Sequence, residues 1–317
     1  MTSLEARLRA SPTIRRRLLH LTNRQRESLV GYLFLSPWLL GFVIFLAGPM
    51  IASFYLSFTQ YKVIQAPSWI GLANYQRMLT DELFYHSLRV TLVYTAISVP
   101  LGIAAALGVA VLLNQKIIAS GLFRTIFYLP SIISGVAVAI VFAWIFNFRF
   151  GILNYLLSLV GVAGPNWLGS PRWALWAFVL MSLWGIGGNV VIFLAALQGV
   201  PQSLYEAAEI DGAGSWQRFW KITLPMISPA LLFVFIMGVI GTFQTFTQSY
   251  IMTGGGPANA TLFYLLYLYK NAFNWFEMGY ASALAWVLFL IIMVCTLILL
   301  RSSTLWVHYE GSFGRGR

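Results

Sequence analysis

The sequence predicts an all-α polytopic membrane protein with six transmembrane helices, and three observations carry that reading. Charged residues make up 9% of the 317-residue chain against 59% hydrophobic, where a soluble domain carries about 25% charged. A water-facing surface cannot be built from this composition. Six apolar runs, at 31–58, 88–113, 125–147, 172–197, 226–252 and 280–300, are each long enough to cross a ~30 Å hydrocarbon core as helix. None has Asp, Glu, Lys or His in its central part, and nothing alternates like barrel strands, so the backbone must satisfy itself within helices.

The first element is a basic tail, residues 1–30, with Arg7, Arg9, Arg15, Arg16, Arg17, Arg24 and Arg26. A short interfacial helix fits part of it, interrupted at Pro12. The run that follows, 31–58, is too long for the core of a signal peptide and lacks a small-residue cleavage site, so it reads as the first span. A loop at 59–87 leads to a five-helix core over 88–300, and residues 301–317 form a C-terminal tail. Arg89 and Arg172 sit at span ends, where long side chains reach the headgroups.

Lys and Arg set the orientation. The tail arginines, Lys116, Arg124, Arg218, Lys221, Arg301, Arg315 and Arg317 place fourteen of the 20 basic residues on one side. Lys62, Arg77, Arg89, Arg149, Arg172 and Lys270 fall on the other. Positive-inside bias then predicts cytoplasmic termini, with the 114–124 loop and the 198–225 segment on the same side. The net charge of +11 concentrates beside a membrane span, where arginines meet anionic lipid; no nucleic-acid partner is expected. Cys295 stands alone, and His20, His86 and His308 are scattered, so neither a disulfide, a metal cluster nor a catalytic triad is expected. The remaining loops are 148–171 and 253–279. The first reads as a short amphipathic helix, starting near Gly151 and closed by Gly164-Pro165. The second opens on the turn signal 253-TGGGP-257, and its stretch 261–276 reads as a helix lying at the interface with Tyr and Trp at headgroup depth.

One segment departs from its greasy surroundings: 206-EAAEIDGAGSWQRFWKITLP-225 holds three of the nine acidic residues. Ser203 and Glu206 have the spacing of a capping box, which places Glu206 and Glu209 in the first turns of a helix. Gly212 or Gly214 suits the left-handed stop. Trp216, Phe219 and Trp220 give a second short helix that ends before Pro225, and Pro229 falls in the first turns of the next span. The prediction is a helical hairpin over 203–221 whose small Ala207 and Ala208 admit another surface. Local physics alone leaves an ordinary connecting loop equally open.

The spacing Glu206-Ala207-Ala208, three residues, Gly212, nine residues, Ile222-Thr223-Leu224-Pro225 resembles the EAA loop of ABC importer permeases, without a gap. The stretches 35-LSPWLLGFVIFLAGPMIASFYLSF-58, 70-IGLANY-75, 128-YLPSIIS-134, 151-GILN-154 and 253-TGGGP-257 are similar to the sugar-uptake branch of maltose and glycerol-phosphate type. The likeness runs from about residue 31 to 300. Within that branch the chain resembles the partner that carries the T-x-GGP loop, without a large extracytoplasmic insertion.

The resemblance implies the type I importer permease fold in a prokaryotic cytoplasmic membrane. It also implies a second homologous permease subunit, two ATP-binding subunits and an extracytoplasmic solute-binding protein. ATP and magnesium belong to the ATPase in this family, so no cofactor is expected here. The residues agree, since none of Lys62, Lys116, Lys221 and Lys270 follows a glycine, as a Walker A loop requires. Proton coupling would normally use an intramembrane acid, and the spans offer none. By resemblance, the hairpin becomes a coupling helix that docks on the ATPase through Glu206, Ala207, Ala208, Asp211 and Gly212.

For the solute path, the residues themselves offer Thr242, Gln244, Thr245, Thr247, Gln248 and Tyr250 in one span, and Trp184 and Asn189 in another. Such polar groups equally serve to join helices. The resemblance adds Gly238, Gly241, Thr242 and Thr245, glycine and threonine standing where the family has larger groups. It implies sugar import; a glycerol-phosphate-type solute and a stand-alone carrier are the alternatives.

Overall fold

The computed structural model describes residues 22–115 and 120–307. The tail up to residue 21, Lys116 and residues 308–317, with His20 and His308, lie outside the described residues. The chain divides into two units, one ending at Leu56 and one beginning at Ser57.

The first unit is α1 (Asn23–Phe42), a π turn (Val43–Ala47) and α2 (Gly48–Leu56). Its stretch Val30–Leu56 is 27 residues of membrane-grade helix. The wide turn has a local cause. Pro49 lacks an N–H for the helical ladder and its ring crowds the preceding turn, and one extra residue relieves the mismatch. The Gly48 N–H then reaches the Val43 carbonyl, so close that a Cβ on Gly48 would lie 2.9 Å from that oxygen.

The second unit opens with a two-stranded ribbon, β1 (Thr59–Gln60) against β2 (Ser68–Trp69), and α3 (Ala73–Thr80). Its central post is α4 (Glu82–Leu113), 32 residues long. This helix starts six residues before the expected 88, because Asp81 caps it by accepting from the Leu83 and Phe84 amides at 3.0 and 3.3 Å. Along α4 lie the three patches of core. Phe84 and Val99 join Phe243, Tyr264, Tyr280 and Leu284; Val90 and Tyr94 join Phe146, Phe178 and Phe263; Ala106 and Ala110 join Val190, Phe193, Leu197 and Val234. Ala106 and Ala110 are four residues apart and fully buried. Their size lets neighbouring helices approach closely.

The expected span 125–147 is not one straight helix. It consists of α5 (Ser120–Ile132) and α6 (Gly135–Ile145), bent by 99°. Pro130 ends the regular ladder and Ser134 turns extended, with ψ at 133°. Next, α7 (Ile152–Leu159) ends at Gly161, φ +76°, with Gly161 N–H on Ser158 and Val162 N–H on Leu157. The stop thus comes before the expected Gly164-Pro165. The run 172–197 forms α8 (Pro171–Ser182), a 3-10 turn (Leu183–Gly185) and α9 (Gly187–Gln198), bent by 48°. Gly187 explains what the bend accommodates, since a Cβ there would lie 2.1 Å from the Phe127 carbonyl of α5.

The hairpin follows, as α10 (Gln202–Ile210) and α11 (Ser215–Arg218), then a π turn (Phe219–Thr223) and α12 (Leu224–Met226). The next span is α13 (Ser228–Phe243) and α14 (Thr247–Met252), with Pro229 in the first turn as expected. The last is α16 (Met278–Trp306), which continues past the expected end at 300. Between them lies α15 (Tyr264–Tyr269), extended by a π turn (Lys270–Asn274). The first half of this stretch packs within the second unit, while Phe273, Trp275 and Phe276 are exposed. Tyr264 and Leu266 are fully buried and Tyr267 nearly so. Core partners satisfy its polar groups, with Tyr264 N–H on Thr91 Oγ1 and Tyr264 O–H on the Leu284 carbonyl, both at 2.9 Å. Among the described residues, four helices are long and apolar enough to cross a membrane, or up to six if each bent pair counts as one span.

Candidate functional site

The hairpin starts differently from its sequence pattern. Pro201, with φ −58°, is the residue before the first turn, so Ser203 lies inside α10 and makes no cap. The expected capping box is absent, and Glu206 sits mid-helix instead of in the first turn. Glu209 falls in the last turn, where the helix macrodipole disfavours a carboxylate. The Arg218 guanidinium, from the second arm, pairs with it there. The stop is where the glycine predicts it. Gly212 has φ +76°, Gly212 N–H donates to Glu209 and Ala213 N–H to Ala208 at 3.0 and 2.8 Å, which is a Schellman closure.

The second arm runs past its expected end. A π turn carries the chain through Pro225, with the Leu224 N–H reaching back to Phe219. At the root, Tyr205 and Thr223 share a hydrogen bond of 2.9 Å between hydroxyls. Away from the root, Glu206, Ala207 and Asp211 are exposed, and Ile210 is 88% exposed. The hairpin therefore offers a short ridge of small and acidic residues in which Ile210 is bare, with Trp216 and Trp220 also exposed on the second arm.

A second feature lies within the bundle. A cavity of about 330 Å³ is walled by residues of α4, α5, α6, α8, α13 and α14, among them Tyr94, Ser131, Ser182, Trp184, Thr242 and Gln248. Gly135, Gly185, Gly241 and Thr245 also line it, and no lining residue carries a formal charge. The Thr242 hydroxyl is already committed, accepting from Thr95 Oγ1 at 2.9 Å and facing the Gly238 carbonyl at 2.9 Å. Thr242 joins helices as well as lining the cavity.

The end of α4 away from the hairpin is held by Asp81. Its Oδ1 caps α4, while Oδ2 accepts from the Tyr267 and Tyr280 hydroxyls, each at 2.5 Å. Burial alone would raise this carboxyl, but the two tyrosines and the Phe84 and Leu83 amides outweigh it and hold the group below its ordinary value. The Tyr267 phenol is pushed up to about 12 by burial and then by the Asp81 carboxylate it bonds. Around this node Arg77 pairs with Glu277 at 2.6 Å and lies over the Tyr280 ring at 4.2 Å.

Residues 98–306 match the family described as the binding-protein-dependent transport system inner membrane component. The chain belongs to this family. Among its relatives is a protein of Bacillus subtilis (strain 168) named probable ABC transporter permease protein YesP, 48% identical over 291 residues that cover 90% of this chain and 94% of that one. Another is the trehalose/maltose transport system permease protein MalF of Thermococcus litoralis, 33% identical over 280 residues, covering 88% and 95%. A solved bacterial ABC transporter involved in the import of the acidic polysaccharide alginate has a chain that superposes with a TM-score of 0.78. It is 25% identical and covers 88% of this chain and 96% of that one.

In this permease, the structure brings together part of the expected solute-path set. Trp184, Gly241, Thr242, Thr245 and Gln248 line the cavity, whereas Asn189, Gly238 and Gln244 do not. Gly238 instead packs on Val99, whose Cγ1 would lie 3.1 Å from an added Cβ. Gln244 is exposed at the break between α13 and α14. The residues expected for coupling, Glu206, Ala207, Ala208, Asp211 and Gly212, lie on one contiguous turn and a half of helix with its bend. Sequence reasoning missed Tyr94, Ser131 and Ser182 in the cavity. It also missed the tie between Glu209 and Arg218 and the node at Asp81. The short-range cap signal Asp81-Glu82 was available for the last of these.

Proposed function

We propose that this chain is one of two permease subunits of an ATP-driven carbohydrate importer, with the motor in separate ATP-binding subunits and the solute delivered by an extracytoplasmic binding protein. Relatives named for trehalose/maltose, lactose and arabinooligosaccharide transport support the substrate class. The basic residues favour cytoplasmic termini and a cytoplasmic hairpin. The observation that carries the reading is the hairpin itself. A short helix closed by a left-handed glycine, with Glu206, Ala207 and Ile210 uncovered, suits insertion into a groove on a motor protein better than contact with lipid.

The cavity is the proposed solute path. Hydroxyl and amide groups with an aromatic side chain are the chemistry that pairs with sugar hydroxyls. A phosphorylated solute would call for basic groups, and the lining holds none. Motor closure would move the hairpin and bias the spans between two states of access.

The test is ATP-driven uptake by the complete transporter in proteoliposomes. Glu206→Lys and Gly212→Pro are expected to abolish uptake while the permease still inserts and purifies in normal amount. Normal uptake by both variants would overturn the assignment of the hairpin.

A further inference from the structure

The EAA spacing leaves residues 209–211 and 213–221 open, and two of these open positions meet. Glu209 from the last turn of α10 and Arg218 from the last turn of α11 form an ion pair across the Gly212 bend. The Arg218 side chain is 22% exposed and the Glu209 side chain 61%. Arg218 also lies 3.4 Å from Ser215 Oγ.

The bend needs such a tie. Gly212 is the least restrained residue type at the point where the two arms diverge, and nothing lies within 4 Å of where its Cβ would be. A hollow of about 260 Å³ lies between the second arm and the end of α4, lined by Val111, Asn114, Tyr205, Ser215, Arg218 and Phe219. A lever hinged on an unpacked glycine, with a hollow beside its second arm, would fold at the hinge when pushed. At its root the Tyr205–Thr223 hydrogen bond holds the arms together, and at its tip the ion pair does.

We infer that Glu209 and Arg218 are positioning residues that clasp the two arms of the hairpin, so that displacement by the motor reaches the spans and is not absorbed at Gly212. This rests on the functional reading above. An exposed ion pair contributes little to global stability, so the clasp is dispensable for folding. Its loss shifts the balance of clasped and open arms by up to about fivefold.

The experiment measures ATP hydrolysed per solute imported, by the complete transporter in proteoliposomes. Glu209→Gln and Arg218→Gln are each expected to raise that ratio about threefold, with unchanged co-purification of the ATPase and unchanged thermal midpoint. The reversed pair, Glu209→Arg with Arg218→Glu, should bring the ratio back to within about twofold of the unaltered complex. An unchanged ratio in both single variants, or a reversed pair no better than the singles, overturns the clasp while leaving the functional reading intact. Loss of ATPase co-purification in the singles also overturns it, because the residues would then be contacts with the motor. Absence of ATP-driven uptake in the unaltered complex overturns the functional reading, and the clasp with it.

Discussion

The two ends of α4 are fastened in opposite ways. At its start, Asp81 binds three elements at once, through the α4 cap, Tyr267 beside the π turn and Tyr280 at the head of α16. Both tyrosines are 2% exposed while Asp81 is half-buried, so these charge-assisted bonds are partly sheltered from water and worth at most about 1.5–3 kcal/mol each. At its other end α4 is held by apolar packing, with Phe219 and Leu224 of the second arm against its core patch. The hairpin's own arms are joined by an exposed ion pair worth about 0–1 kcal/mol, one bond between hydroxyls and a glycine bend. The contrast separates a fixed end from a handle. On the proposed function, the part that transmits motion is joined by weak, local ties, and the frame against which it moves is pinned by more sheltered ones.

The largest effect that would test this contrast is at the fixed end. Asp81→Ala removes the cap and leaves two buried hydroxyls without their acceptor, which should cost roughly 3 kcal/mol or more in chemical unfolding of the purified permease. A loss below about 1 kcal/mol would erase the difference between the ends. At the handle, Tyr205→Phe removes one side-chain hydrogen bond and should cost only about 1 kcal/mol in the same measurement. A cost equal to that of Asp81→Ala would make the hairpin part of the frame.

The smallest effect is with pH. The Asp81 carboxyl is lowered in the folded protein, so its contribution is complete above the unfolded value of about 3.9 and is lost as pH falls through the folded value. The thermal midpoint should therefore owe nothing to this group's titration between about pH 5 and 8. Below about pH 4 it should fall more steeply in the unaltered protein than in Asp81→Asn. Parallel acid profiles for the two proteins would show that the carboxylate is not what ties the end.

How much of this was legible depended on the distance over which each feature is encoded. The Gly212 stop and the Pro229 start were readable because their causes are local, a left-handed residue and a missing N–H. The capping box at Ser203 was misread because Pro201 sets its own dihedral and starts the helix one residue earlier. The burial of the first half of 261–276 is not legible in the sequence, because its polar groups find partners far along the chain. The Tyr264 and Tyr267 hydroxyls donate to the Leu284 carbonyl and Asp81, and the Tyr264 N–H to Thr91, with Thr91 and Asp81 more than 170 residues away, which no local pattern signals.

By itself the sequence determined that the chain is a polytopic membrane protein, that it lacks the pattern for its own ATPase, and that a glycine-bent acidic hairpin interrupts its apolar runs. Each follows from composition or short-range stereochemistry, because hydrocarbon tolerates only self-satisfied apolar helix and a positive φ favours glycine. The tertiary structure alone decided the rest. It broke the third span by 99°, buried α15 and gathered Trp184, Thr245 and Gln248 around one cavity while leaving Asn189 and Gln244 outside. It also joined Glu209 to Arg218 over the hairpin. These depend on which faces of several helices meet, and packing chooses among faces that the sequence makes almost equally apolar.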